Sequence, residues 1–553
     1  MKQFFYKNRV LLLAIAALLI PVAVIEWQAL HHTNGVFTYP LDDTFIHMAV
    51  AGNVADHHVW GINSYEFGSA SSSILYTLLL SILFHLPGPH ILIPFLINCI
   101  AACLLLAAIS RWMKKEGISD MGQAAIFLAI IFFTPLPILV ISGMEHSLQC
   151  LFTFLFIFEF AGWLEGRVSA GDGSVAKGKW ALPWTIYVYG MLICMIRYEG
   201  MFLVACVCLV LLCYRRLVMA IGLGLIAVLP LVLFGAYSIS KGSYFLPNSV
   251  LLKSDNFHAS LGGILEFIGN ILIQKLTVIK QVTKSTEGPR PGISALVTQR
   301  LLILLPLAFL VFRKQFRDKK SYGFILVILT ACTLLHLAFA STGWLYRYEA
   351  YLMLNAIVIL GVLLYRYGRE LMPQKTWAGC AMVVTLLFAL LFPALLRSMA
   401  AYTKTAQACV NIYQQQYQMG LFLHKYYDKD AVAANDVGAI SYFSHGNNMD
   451  LWGLGNIDIA KSRKGNYWTA GFMDSLCRKR NVRIAIVFDS WFSDSLLHRW
   501  KKVATWQIPD NVICGDDTVS FYAVAEGEEP LLRKDLEDFS AELPKDVRVK
   551  YFN

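Results

Sequence analysis

Apolar runs of membrane-spanning length recur along the first 396 residues of this chain, and no other feature restricts its fold as strongly. They lie at 10–25, 91–110, 121–141, 147–164, 181–196, 199–213, 217–237, 297–312, 321–340, 349–365 and 376–396. A helix crossing the hydrocarbon core needs roughly 20 apolar residues, with about 17 as a lower bound, and several runs sit near that bound. Composition agrees. Of 553 residues, 57% are apolar or aromatic and 15% are charged, with a mean hydropathy of +0.54. An ordinary soluble domain carries about 25% charged residues. A water-soluble globule, a disordered chain, a coiled coil and collagen are all excluded. The expectation is an α-helical polytopic membrane protein with about 11 transmembrane helices plus interfacial helices.

Charge placement orients the spans. Lys2, Lys7 and Arg9 precede the first run, and Glu26-Trp27-Gln28 after it lacks a small-x-small cleavage site, so the run reads as a retained helix with a cytoplasmic N-terminus. Ile74–Leu86 is apolar but only 13 residues long, and it reads as a helix in the interface. With that reading, 19 Lys and Arg fall in cytoplasmic segments, while residues 31–71 contain none and the short outer turns contain only Arg197 and Arg347. Leu261–Leu276 reads as interfacial by the same test. The net charge of +10 thus reflects the cytoplasmic flanks of spans, and nucleic-acid binding has no support.

Residues 1–396 therefore form a membrane domain with a first outer loop at 31–90 and a second at 238–296. Residues 397–553, richer in Lys, Asp, Asn and Tyr, read as a soluble α/β domain on the periplasmic side, with strand-like runs at Asp430–Ala434 and Arg483–Phe488. Cys477 and Cys514 in that domain either pair or remain buried thiols. The 12 cysteines show no CxxC pair or metal-ligand spacing.

Polar groups gather on the outer side. Asp42 and Asp43 open the first outer loop. Either caps a helix starting at Thr44, or one serves as a general base whose acidity is tuned by its neighbour. His47 lies one turn beyond Asp43. The loop continues with Asn53, Asp56, Trp60, Asn63, Glu66 and a Gly-Ser segment at 68–73, and residues 31–73 hold five of the 13 histidines. No zinc motif is present, and a resident transition metal is not expected. Mg2+ or Mn2+ held by Asp42/Asp43 with a substrate phosphate remains open. Glu145 and His146 lie in a tight outer turn, as a helix-terminal pair or as a pocket wall. Arg197-Tyr198-Glu199, Arg347-Tyr348-Glu349 and Asn248 with Lys253 supply outer cations and polar partners. Arginine at that depth either snorkels or binds phosphate. Asp436, in Asn435-Asp436-Val437-Gly438, reads as a turn with glycine at positive φ or as a contact to a glycan.

Acids in one outer loop and bases in others suit sugar transfer from a lipid phosphate. The leaving phosphate needs cations, and the acceptor hydroxyl needs a carboxylate base. Two further readings are a carrier or flippase for a lipid-linked substrate, and a non-catalytic envelope protein that binds glycan. The clustering on one face and the absence of an internal repeat count against transport.

The pattern Asp42-Asp43-x-Phe-Ile, Gly61-x-Asn63-x-x-Glu66-x-Gly68-x-x-Ser71, Ser142-Gly-Met-Glu145, Arg197-Tyr-Glu199-Gly, Leu246-Pro-Asn248-Ser with Lys253, Arg347, Asn435-Asp436-Val-Gly438 and Asp450-Leu-x-Gly453 resembles the GT-C superfamily of membrane glycosyltransferases. Within it, the nearest look is to the mycobacterial terminal arabinofuranosyltransferases. The resemblance implies a polyprenyl-phosphate-linked sugar donor, an inverting transfer to an envelope glycan or lipid, and a place in the bacterial inner membrane. It implies Asp42 and Asp43 as the pair supplying the base, and Arg197, Lys253 and Arg347 near the donor phosphate. Substrate contacts would come from His47, Asn63, Glu66, Glu145, His146, Glu199, Asn248 and Asp436. His146 and Glu199 depart from the residues common in that group, which leaves the sugar open, a pentofuranose among the candidates.

Overall fold

The computed structural model describes residues 2–169, 180–252, 291–368 and 377–553. Every long apolar run folds as helix: α1 (Lys2–His32), α4 (Ile93–Lys115), α5 (Asp120–Phe133) with α6 (Leu136–Ile141), α7 (His146–Ser169), α8 (Trp184–Ile196), α9 (Gly200–Cys213), α10 (Leu217–Ser240), α12 (Pro291–Val311), α13 (Lys320–Phe339), α14 (Ala350–Tyr367) and α15 (Trp377–Ile412). Among the described residues, six of these segments are both long and apolar enough to cross a membrane; α5, α8, α9 and the apolar part of α12 are shorter apolar helices. The chain is thus a polytopic α-helical membrane protein with several long apolar helices. The Ile74–Leu86 run yields α3 (Ile74–Leu83), ten residues long and far short of a span. The run at 261–276 lies outside the described residues.

The rise in polar composition at residue 397 falls inside α15, which continues without a break. A π-helical turn at Tyr413–Tyr417 joins it to α16 (Gln418–Tyr426). The strands that follow are β1 (Ala431–Ala434), β2 (Asn447–Asp450), β3 (Val482–Val487), β4 (Lys501–Gln507), β5 (Thr518–Ala523) and β6 (Arg548–Tyr551). They form one mixed sheet in the order β2-β1-β3-β5-β4-β6. β1 pairs in parallel with β2 and β3, and the remaining pairs are antiparallel. Alternation decides the packing of each face. Val432, Ala434, Ile484 and Ile486 join a hydrophobic core continuous with the helix bundle. Ala433, Ala485 and Val487 pack with Met449, Met473 and Leu496 on the far face. Cys477 and Cys514 are both buried and unpaired, so no disulfide joins them.

The sheet region is seated on α2 (Asp42–His57) through α17 (Gly438–Phe443). Phe45 packs on the rings of Tyr442 and Phe443 at 5.8 and 5.9 Å. The Asp42 carboxylate accepts the N–H groups of Gly438 and Ala439 at 2.7 and 2.8 Å. Asp42 therefore caps α17 across the seam and leaves its own helix uncapped; α2 starts at Asp42, with Leu41 before it. Gly438 does not adopt the positive φ expected from sequence. It is needed for space: a Cβ there would lie 2.1 Å from the Asp42 carbonyl oxygen. Gly438→Ala is expected to destabilise the protein by about 2–4 kcal/mol, read as a lower melting temperature and faster proteolysis within residues 397–437.

Candidate functional site

Adjacent residues on a helix point about 100° apart, and α2 uses that angle to divide its two acids. Asp42 turns to α17. Asp43 turns into a cavity of about 370 Å3 between α2, the turn at 197–199, α11 (Asn248–Leu251) and the segment 338–348. His47, Arg197, Glu199, Arg347 and Tyr348 share that wall, and Ala338, Phe339, Met201 and Phe202 supply an apolar side. This is a largely apolar pocket with a few convergent charges, of a size that takes a small ligand group.

Arg347 is the central cation. It is 1% exposed, and its Nη2 donates to Asp43 Oδ2 and, at 3.3 Å, to the Tyr348 hydroxyl. Its Nε and Nη1 are buried with no protein partner. A buried guanidinium with open donors calls for an anion or water. Its position is imposed by a left-handed turn: Trp344, Leu345 and Tyr346 have φ of 46°, 54° and 60° after Gly343 at 88°. Such backbone costs about 1 kcal/mol or more per residue outside glycine. The restraint is the fully buried Arg397–Glu349 pair. Arg397 donates to Glu349 at 2.9 Å, to the Tyr346 carbonyl at 2.5 Å and to the Phe133 carbonyl at 3.0 Å, while Glu349 accepts Gly343 N–H at 2.9 Å.

Arg197 is differently placed. Its Nε and Nη2 grip Glu199 at 3.1 and 2.7 Å, and Nη1 reaches Glu145 at 2.9 Å and the Ser72 hydroxyl at 3.5 Å. Both carboxylates commit it within the protein. Both guanidiniums lie over the Tyr348 ring, 5.2 Å from its centre for Arg197 and 5.0 Å for Arg347. Each cation meets the π face, which lets two like charges approach.

Behind this wall lies Glu145, fully buried. The Ser142–Gly143 turn places it there. Thr44 donates to the Ser142 carbonyl, Tyr76 donates to the Gly143 carbonyl, and Gly143, at φ +63°, leaves no room for a Cβ against Tyr39. His47 Nε2 lies 3.5 Å from Glu145, and its Nδ1 meets the hydroxyls of Ser71 at 3.1 Å and Thr77 at 3.4 Å. Burial alone would push the Glu145 carboxyl up, but His47, His146 and Arg197 outweigh it and hold it at about 2. Burial also depresses His47, which leaves Arg197 as the permanent cation beside Glu145. Asp42 goes the other way. Burial and the facing Asp436 carboxylate raise it well above the ordinary range, against the pull of the α17 N–H groups.

The other expected residues are dispersed. His146 is fully buried beside Tyr348, with neither ring nitrogen partnered. Asp436 accepts from Gln416 at 2.9 Å and lines a second cavity of about 80 Å3 with Asp42, Asp43, Trp344 and Trp491. Asn63 clamps the first outer loop to β2, exchanging hydrogen bonds with the Asn448 backbone at 3.1 and 3.0 Å. Glu66 pairs with Arg480 in the same seam. Asn248 donates to the Leu454 carbonyl at 3.3 Å and fixes the cavity roof. Lys253 lies outside the described residues. Sequence reading missed Ser72, Tyr348 as a spacer, and Arg397. The Asp450-Leu-x-Gly453 pattern noted in the sequence is a turn whose N–H groups at Trp452, Gly453 and Gly455 wrap the buried Asp450 carboxylate. Tyr348, repeating the Arg-Tyr-Glu of 197–199, also left a trace in the sequence.

The crystal structure of ArnT from Cupriavidus metallidurans bound to undecaprenyl phosphate superposes with a TM-score of 0.51 at 12% identity, covering 94% of this chain and 99% of that one. The fold is similar to that of ArnT. The apo form of ArnT gives 0.50 at 13% identity, covering 94% and 98%. At such identity the likeness to ArnT is one of fold alone. Residues 410–522 match a family described as a domain of unknown function, DUF8728. No curated protein matches the sequence.

The depressed acidity of Glu145 sets a pH dependence. Its contribution to stability is complete above its ordinary value of 4.5 and is lost as pH falls towards about 2. Wild type is expected to exceed Glu145→Gln by roughly 2–3 kcal/mol at pH 7. Melting curves of both proteins should converge as the pH falls below 4.5.

Proposed function

We propose that the chain is an inverting glycosyltransferase that moves a sugar from a polyprenyl-phosphate donor to an envelope glycan or lipid acceptor on the outer side of the inner membrane. The N-terminus is cytoplasmic and residues 397–553 are periplasmic in this reading. The observation that carries it is Arg347, whose Nε and Nη1 face the need for an anion on a wall shared with Asp43. Support comes from the fold of ArnT, which has been crystallised with undecaprenyl phosphate.

The donor phosphate binds the open donors of Arg347 as a fork. It competes with Asp43 for the guanidinium, which frees the carboxylate to meet the acceptor hydroxyl. Asp43 takes the hydroxyl proton as the oxygen attacks the anomeric carbon. The bond from that carbon to the phosphate oxygen breaks, and its electron pair leaves on the phosphate, stabilised by Arg347. Arg197, held by Glu199 and Glu145, positions Arg347 through Tyr348. Lys253 keeps a proposed role at the phosphate on sequence grounds. Asp42 serves as the hinge post of α17, and Asp43 as the base. A Mg2+ or Mn2+ ion at Asp42/Asp43 fits poorly, since Asp42 is occupied by two N–H donors and Asp43 by Arg347, and no step runs through one. The sugar remains open; a pentofuranose rests on the sequence resemblance alone.

Asp43→Asn is expected to lower transfer by about 10²–10⁴-fold while undecaprenyl phosphate binding stays intact. Arg347→Ala is expected to weaken undecaprenyl phosphate binding by at least tenfold, worth about 1.4 kcal/mol, with Arg347→Lys intermediate. Transfer is read from envelope glycans of a deletion strain complemented with each variant. Full complementation by Asp43→Asn, or wild-type lipid binding by Arg347→Ala, would refute the assignment.

A further inference from the structure

A second cluster lies in the strand-rich region, apart from the cavity. His424 sits in the last turn of α16, Asp428 follows in the turn before β1, and His445 lies between α17 and β2. Among the described residues these are the one group of three His, Cys, Asp or Glu whose candidate ligand atoms all lie within 4.8 Å of one another. Both imidazoles turn Nδ1 to the same carboxylate oxygen. Asp428 Oδ1 is 2.9 Å from His424 Nδ1 and 3.2 Å from His445 Nδ1. It also accepts the His445 backbone N–H at 3.0 Å.

We propose that His424, Asp428 and His445 form a binding site for a borderline divalent cation of the Zn2+ class. Two imidazole nitrogens and one carboxylate oxygen make a donor set that such ions prefer over Mg2+ or Ca2+. Tetrahedral bonds of about 2.0–2.1 Å place ligand atoms about 3.3 Å apart, close to the two spacings found here. The backbone has assembled the triad before any ion enters. His424 and Asp428 are one helical turn apart, and the loop bearing His445 is pressed against the chain at 427–430. A Cβ on Gly446 would lie 2.8 Å from the Asp430 carbonyl oxygen, so the loop can close only with glycine there. The side chains are 54%, 30% and 74% exposed, which leaves the fourth position to water and an open entry path.

The location suggests what the ion does. The triad ties the end of α16 to the loop that follows α17, and α17 is the helix whose first N–H groups hold Asp42. The ion is a staple for the platform on which α2 rests. It takes no part in the cavity chemistry, and the site stands whether or not the glycosyltransferase reading does.

The test uses full-length protein in nanodiscs, stripped with chelator and titrated with Co2+ and then Zn2+. Expected are one equivalent of Co2+ with a visible d–d absorption band, its displacement by Zn2+, and a higher melting temperature with Zn2+. His424→Ala and His445→Ala should each weaken Co2+ binding at least tenfold. Their metal-free melting temperatures should match wild type, since both side chains are exposed. Asp43→Asn should bind Co2+ as wild type does. A missing band, a band retained in the doubly substituted H424A/H445A protein, or a band lost in Asp43→Asn would overturn the proposal.

Discussion

The structure depends on one capping interaction: the Asp42 carboxyl group accepting the first N–H groups of α17. It is an unusual use of an acid at a helix start. It serves a different helix, nearly 400 residues away in sequence, and so converts the start of α2 into a seat for the sheet. The next residue is then fixed by helical geometry. With Asp42 held, Asp43 has no choice but to face the cavity.

The cavity is built from charges that are mostly spoken for. Arg197 is satisfied by two carboxylates, and Glu145 gives one of its oxygens to Arg197. Asp43 and Arg347 hold one another by a single edge, with the rest of the guanidinium open. Groups paired within the protein define shape, while the half-paired cation, Arg347, defines where a ligand anion gains most. This asymmetry could not be anticipated from composition, which shows two outer arginines with the same flanking Tyr and Glu.

What the sequence displayed, and what it concealed, follows from the range of the forces involved. Helices came through because apolar runs and flanking Lys and Arg report burial in lipid directly. The polar residues of the outer side were also visible, since charge at that depth is costly and stands out. Partnership was not. Asp42 and Asp43 look equivalent in the chain, and only the arrival of α17 separates them. Gly438 reads as a turn glycine, yet its φ is ordinary and its small size is what the seam requires. Asn63 and Glu66 look like ligand contacts and instead bind the loop to β2 and Arg480. Each of these roles is set by a long-range neighbour, and local pattern carries no record of it.

The left-handed turn at Trp344–Tyr346 has a mechanical implication. Its shape is kept by Arg397, which belongs to the same long helix that carries the chain out to the sheet. Through Arg397 the helix that leads to the sheet also holds the backbone of Tyr346, one residue before the guanidinium of Arg347. The support of the sheet and the wall of the cavity thus share a single helix.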